Sequence, residues 1–291
     1  AGFGLCHIRP PWLPVPEQSI MVYFPRSRNS QNEMESGMNL NKSVIAITGG
    51  ARGLGAAMAL RLAKAGARLA LVDIDPDALA ATADECMAAG APGVMARSAN
   101  VADESDVEAL FMAIREEFGE LHGLVNNAGI TRDALLVKYK DGEQVSKMTI
   151  EQWQSVIDVN LTGVFLCGRE AAATMIETGS EGCIINIASI SRAGNMGQTN
   201  YSAAKAGVEA MSVAWSKELA LYGIRAASLA PGFIGTDMVM AMKPEAREKL
   251  TAGIPAGRVG DPDEIALTVQ FILENDYVSG RCFDIDGGLR L

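Results

Sequence analysis

From residue 43 onward, short apolar runs rich in valine, isoleucine and leucine alternate with longer stretches whose apolar positions recur at helical spacing. The short runs predict strands at 43–48, 68–73, 93–97, 121–125, 183–188, 225–229 and 282–285. Continuous apolar runs separated by helices are the mark of a parallel sheet buried on both faces. The prediction is therefore a single-domain α/β fold, a doubly wound sheet of about seven parallel strands covered by helices on both sides. Several helices carry start signals. Asp75 precedes Pro76, and Asp261 precedes Pro262 with Glu264 three residues on, each an N-cap followed by proline at the first helical position. Thr149 with Gln152 forms a capping box before an apolar helix that runs towards Glu177.

The first 37 residues read differently. Pro10, Pro11, Pro14, Pro16 and Pro25 break every candidate element, so 1–37 is read as an irregular extension and 38–291 as the folded domain. The extension lacks the apolar core of a signal peptide and the pattern of a transit peptide. A net charge of −10 repels phosphate backbones and anionic membrane surfaces, which argues against nucleic acid and membranes as partners. No apolar run reaches the length of a membrane span. Five scattered cysteines, Cys6, Cys86, Cys167, Cys183 and Cys282, without CxxC spacing point to reduced thiols and a cytoplasmic location. With only His7 and His122 present, neither a histidine metal site nor a Ser-His-Asp hydrolase has the material it needs, so no metal is expected.

Directly after the first strand stands Thr48-Gly49-Gly50-Ala51-Arg52-Gly53-Leu54-Gly55, then a helix rich in alanine and leucine. A turn this rich in glycine lets the backbone approach a pyrophosphate, and the free N–H groups of the helix face its charge. Asp73 ends the next strand at the distance where an acid accepts from a ribose diol. A dinucleotide cofactor follows. Asp73 repels a 2′-phosphate and favours NAD, whereas Arg52 offers such a phosphate a partner, or faces solvent; the acid is weighted more heavily, giving NAD with NADP as the alternative.

Tyr201 and Lys205 stand four residues apart near the start of a long helix, on one face and one turn apart. A free phenol has a pKa near 10, and a neighbouring ammonium is expected to pull Tyr201 towards the working range while reaching the nicotinamide ribose. The apolar strand 183–188 runs into Ser189, at the sheet edge where ligands of doubly wound folds bind. Ser189 is the candidate donor to a substrate oxygen, with Ser191 as the alternative. Asn160 sits in mid-helix, where its amide either bonds within the core or distorts the helix locally.

Taken in order, residues 48–55, Asn126-Asn127-Ala128-Gly129, Asn160, Ser189, Tyr201 with Lys205, and Pro231-Gly232-Phe233-Ile234-Gly235-Thr236 resemble the motifs of short-chain dehydrogenases/reductases. The resemblance covers nearly everything from residue 40 onward. Within the family the chain looks most like bacterial 3-oxoacyl-acyl-carrier-protein reductases, down to Ile130-Thr131-Arg132-Asp133 and the closing Gly287-Gly288. It implies a Rossmann-like sheet and a tetrad of Asn160, Ser189, Tyr201 and Lys205. Tyr201 would protonate the carbonyl oxygen and Ser189 polarise it, while Lys205 and Asn160 carry replacement protons through water. Cofactor contacts are assigned to Gly49, Arg52, Gly53, Leu54, Gly55, Asp73, Asn127, Ala128, Gly129, Tyr201, Lys205, Pro231, Gly232, Ile234 and Thr236. A homo-oligomer, tetramer or dimer, is also implied.

Some positions depart from the family pattern. Asn100 stands where many members have an aspartate that accepts from adenine; its amide oxygen can still accept, so Asn100 and Val101 join the cofactor set. Between Leu136 and Trp153 the chain is longer than its relatives, as part of the pocket, as an oligomer contact or as a neutral insertion. Met238, Met240 and Met242 follow the cofactor loop, as an apolar lid or an ordinary packed helix. The implied substrate is a 3-oxoacyl thioester, carried by an acyl carrier protein or coenzyme A. Carrier proteins dock on basic residues, and Glu177-Thr178-Gly179-Ser180-Glu181 offers none. A small ketone, polyol or steroid-like alcohol is the alternative; a non-enzymatic dinucleotide-binding regulator would need a damaged tetrad, and none of the four positions is lost.

Overall fold

The computed structural model describes residues 37–241 and 243–290. The reading of 1–37, with Cys6 and His7, lies apart from Gly37 outside the described residues, as does Met242. All seven predicted strands form, with no end moved by more than two residues. They are β1 (Val44–Thr48), β2 (Arg68–Asp73), β3 (Val94–Ser98), β4 (Gly123–Asn126), β7 (Gly182–Ile187), β8 (Ile224–Pro231) and β9 (Cys282–Ile285), with β5 (Val137–Lys140) and β6 (Glu143–Lys147) between β4 and β7 in the chain. The seven are parallel and ordered β3-β2-β1-β4-β7-β8-β9. The strand order reverses between β1 and β4, so the loops leaving those two strands frame the crevice where this architecture binds ligands.

Alternation along β1 shows how the two layers are fed. Ile45 and Ile47 enter the core shared with α1 (Gly53–Lys64) and α9 (Pro262–Glu274), while Val44 and Ala46 enter the core under α3 (Glu104–Phe118) and α5 (Gly163–Thr178). A strand buried on both faces has no use for polar alternation, which is why β1 reads as an unbroken apolar run. Arg61 of α1 clasps Asp263 of α9 through two hydrogen bonds of 2.9 and 2.6 Å. The predicted caps are in place: Asp75 accepts from Ala78 N–H ahead of α2 (Pro76–Ala88), and the Thr149–Gln152 and Asp261–Glu264 boxes are both closed.

One element escaped the sequence reading. Residues between Leu136 and Trp153 contain an antiparallel hairpin of β5 (Val137–Lys140) and β6 (Glu143–Lys147), exposed at every residue. Its turn is Asp141-Gly142, with φ of 54° and 85°. Two consecutive positive φ values match the tight turn that Asp-Gly favours, so this dipeptide was the available signal.

Candidate active site

The glycine turn leaves β1 at the point of reversal and is bolted to the loop beyond β4. Thr48 Oγ1 accepts from the backbone N–H of both Asn127 and Ala128 at 3.1 Å. Asn127 Nδ2 donates in return to the carbonyls of Thr48 (3.1 Å) and Gly49 (2.9 Å), which spends its amide on the shape of the turn. Glycine is required here by space. A Cβ on Gly49 would lie 2.9 Å from Ala128 Cα, and one on Gly55 only 1.9 Å from the Gly49 carbonyl oxygen. Arg52, at the N-cap of α1, gives that helix no side-chain cap, so its first N–H groups remain for another acceptor.

Around this turn lies a cleft of about 550 Å³, lined by Gly49, Ala51, Arg52, Gly53, Leu54, Asp73, Asp75, Asn127, Ala128, Gly129 and Thr236. Asp73 is fixed in its wall: Oδ2 accepts from Ala51 N–H at 3.2 Å, and Oδ1 from the N–H groups of Ile74 (2.8 Å) and Asp75 (3.3 Å). Arg52 does not face solvent unpaired. It forms an ion pair with Asp75, two residues beyond Asp73.

The catalytic candidates gather at the ends of β7 and β4. Ser189 follows β7 in an extended conformation, and its Oγ accepts from Ser191 N–H at 3.1 Å. Ser191 itself is buried while Ser189 is partly exposed, which favours Ser189 of the two. Tyr201 and Lys205 lie in the first turns of α6 (Thr199–Glu218), with Lys205 Nζ 5.7 Å from the centre of the Tyr201 ring. Burial pushes the Tyr201 phenol above its ordinary value, the hydrogen bond with the Ser189 hydroxyl opposes that rise, and the Asp133 charge adds to it. The net direction is upward, against the downward pull expected of Lys205. Its ammonium donates instead to the Ile187 carbonyl at 2.6 Å, at the end of β7, and burial pushes its own pKa down to about 8.

Asn160 meets both expectations at once. It is fully buried, and it lies in a π turn (Asp158–Thr162) between α4 (Ile150–Ile157) and α5. Its Oδ1 accepts from Ile130 N–H at 2.8 Å and its Nδ2 donates to the Ile130 carbonyl at 2.9 Å. That amide is thereby committed to holding the loop after β4, and π turns recur at functional sites because they free helical backbone groups. Beneath the site a buried chain runs from Asn126 Nδ2 to Asn186 Oδ1 (2.8 Å), then from Asn186 Nδ2 to Ser212 Oγ (2.9 Å). It pins β4, β7 and α6 together and so fixes the helix that carries Tyr201.

Other predicted cofactor residues fall in different places. Thr236 reaches the cleft wall, whereas Ile234 is buried in the core and Pro231 and Gly232 close β8, with Gly232 N–H donating to Ile285. Asn100 Oδ1 accepts from Ala102 N–H at 3.1 Å, a local turn, and Val101 is buried against Gly163; neither lines the cleft. Met240 is exposed. Ala51 and Asp75 are wall residues that sequence reasoning did not assign to the cofactor. Asp75 was recognised only as a helix cap, although its position two residues beyond Asp73 placed it at the same edge.

A parallel sheet reversing at a glycine turn, with serine, tyrosine and lysine gathered at the end of β7, the strand next to β4, is the architecture of a short-chain dehydrogenase/reductase, and the chain belongs to that family. Residues 49–290 match a family model described as enoyl-(acyl carrier protein) reductase. A 3-oxoacyl-(acyl-carrier-protein) reductase of Thermotoga maritima is 41% identical over 256 residues, covering 87% of this chain and 99% of the relative. The reductase of the same name from Synechocystis sp. is also 41% identical, over 86% and 98%. That of Escherichia coli (strain K12) is 38% identical, over 87% and 99%. The protein is therefore an oxidoreductase acting between C=O and CH–OH with a nicotinamide dinucleotide. Among the described residues no helix is long and apolar enough to cross a membrane.

Proposed function

We propose that this protein is an NAD(H)-dependent 3-oxoacyl thioester reductase in which Asn160, Ser189, Tyr201 and Lys205 form the active centre. The observation that carries the reading is the pairing of two hydroxyls, Ser189 and Tyr201, at the end of β7 beside a buried lysine. Two hydroxyls converging suit a single substrate oxygen, which a carbonyl has and an isolated C=C bond lacks.

The cleft fits a dinucleotide. Its turn closes only without Cβ atoms at Gly49 and Gly55, the uncapped start of α1 suits a pyrophosphate, and the anchored Asp73 carboxylate suits a ribose diol. When bound, the reduced nicotinamide supplies the hydride that reaches the carbonyl carbon. Tyr201 gives its proton to the oxygen, Ser189 donates a hydrogen bond to that oxygen, and the product is a secondary alcohol. Burial holds Tyr201 protonated, the form an acid needs for reduction. Asn160 keeps the Ile130 loop in place through both ends of its amide. NAD rather than NADP is favoured by the Asp73 carboxylate and by the engagement of Arg52 with Asp75.

The thioester is inferred from the relatives' names, and coenzyme A and a carrier protein both remain acceptable handles. A homo-oligomer is supported by Phe165 of α5 and Val213 of α6, which stay 44% and 37% exposed on the outer side of these helices. A cytoplasmic setting is supported by the buried free thiols Cys86, Cys167 and Cys183. The experiment is a turnover comparison of acetoacetyl-CoA, its carrier-linked equivalent and small ketones. Either thioester is expected to lead; turnover confined to the ketones overturns the thioester reading. Tyr201→Phe is expected to lose about two to four orders of magnitude in turnover while still binding NADH.

A further inference from the structure

The cleft wall beside the glycine turn holds two carboxylates, Asp73 and Asp75, and the guanidinium of Arg52. Asp75 is bound from two sides. Its Oδ1 accepts from Ala78 N–H at 3.1 Å as the cap of α2, and its carbonyl oxygen accepts from Leu79 N–H at 3.1 Å. Its Oδ2 holds the Arg52 guanidinium. The arginine side chain is 68% exposed and has no comparable anchor, so the fixed acid decides where the cation goes.

We infer that Asp75 is a positioning residue for cofactor choice: by pairing with Arg52 it withdraws the only cation among the described residues of this wall from a phosphate on the adenosine ribose. With Asp73, Asp75 and Arg52 charged, the wall carries one net negative charge, which repels a 2′-phosphate and tolerates a diol. Removing the Asp75 charge makes the wall neutral and leaves Arg52 free to turn to a phosphate, which guanidinium binds well. The pair lies largely in water, so losing it costs the fold little. This inference rests on the NAD reading above and deepens it.

The test uses Asp75→Asn, which keeps the Oδ1 cap and drops the charge, with Asp75→Ser as a second capping variant should the first fold poorly. Calorimetric titration compares adenosine 2′,5′-bisphosphate with adenosine 5′-monophosphate, probes that carry no nicotinamide and need no turnover. Asp75→Asn is expected to raise the affinity ratio in favour of the bisphosphate about tenfold, the scale of one hydrogen bond to a charged group. In an Arg52→Gln background the same change is expected to move the ratio less than about twofold, because no cation is left to release. An unchanged ratio in Asp75→Asn overturns the inference. So does an equal gain without Arg52, which would reduce Asp75 to simple repulsion. The wild-type specificity constants for NADH and NADPH judge the NAD reading separately: an enzyme that favours NADPH yet gains on Asp75→Asn sinks that reading and keeps this one.

Discussion

The turn from Thr48 to Gly55 and the hairpin from Val137 to Lys147 both follow central strands at the same edge of the sheet, and they are built on opposite terms. In the turn, the Thr48 hydroxyl and the Asn127 amide are spent on neighbouring backbone, and two glycines stand where a methyl group would strike main chain. In the hairpin every strand residue is exposed, and Val137, Tyr139 and Val145 present 53%, 62% and 56% of their surface. The turn is held by bonds to the loop after β4 and by the lack of room at Gly49 and Gly55. The hairpin springs from the loop that Asn160 and Gln198 hold, and its own residues lie in water.

The largest effect is expected where the turn is tightest. In Gly55→Ala the new Cβ would lie 1.9 Å from the Gly49 carbonyl oxygen, a backbone atom that cannot rotate aside. Relief requires opening the turn, so we expect a loss of more than about 4 kcal/mol, the range reserved for severe core clashes, together with loss of NADH binding. At Gly142, in the hairpin, nothing lies within 4 Å and only the φ of 85° opposes a side chain. Gly142→Ala should cost about 1 kcal/mol. Comparable thermal melts for the two variants would erase the contrast.

Lys205, buried on the fixed side, gives a pH-dependent version of the same comparison. Its folded pKa of about 8 lies below its ordinary value of 10.5. The unfolded chain therefore binds the extra proton between these values, and stability rises with pH across that window. Below pH 8 the cost is constant and on the order of 3 kcal/mol, from about 1.4 kcal/mol per pKa unit. Lys205→Met removes it, at the loss of roughly 1 kcal/mol for the hydrogen bond to Ile187. Lys205→Met should be the more stable protein at pH 7, with its advantage shrinking as pH rises from about 8 towards 10.5. A difference in melting temperature that stays constant over that interval would refute the assignment.

How much could be read in advance follows the same division. The central strands were visible because they are apolar runs with a turn-former at or just past the end, Gly49 after β1, Asp73 in β2 and Asn126 in β4, and the helix starts because capping is local chemistry. The hairpin was missed because lysine, glutamate and glutamine dilute its alternation; with both faces in water, nothing forces a period of two. Within the site, spacing placed Tyr201 and Lys205 on one helix face. It was silent on the carbonyl of Ile187, eighteen residues earlier, that takes the ammonium. Spacing preferred Ser189 but left Ser191 open as the alternative, and the Arg52–Asp75 pair joins two loops that share no sequence pattern.

The smallest effect should come from removing the hairpin. Its neck is already closed below the strands, where Met148 N–H donates to the carbonyls of Leu135 (3.1 Å) and Leu136 (3.2 Å). Replacing residues 137–147 by Asn-Gly preserves that closure and supplies a two-residue turn of the favoured type. The excised residues are exposed in the monomer, and changes at such sites usually stay within about 0.5 kcal/mol. For a domain of this size that is less than about 2 °C in melting temperature, and the NADH dissociation constant should not move, since no hairpin residue lines the cleft. A fall of more than about 5 °C would mean that the exposed Val137, Tyr139 and Val145 are covered in the working protein. The hairpin would then belong with the glycine turn, among the parts that cannot be altered.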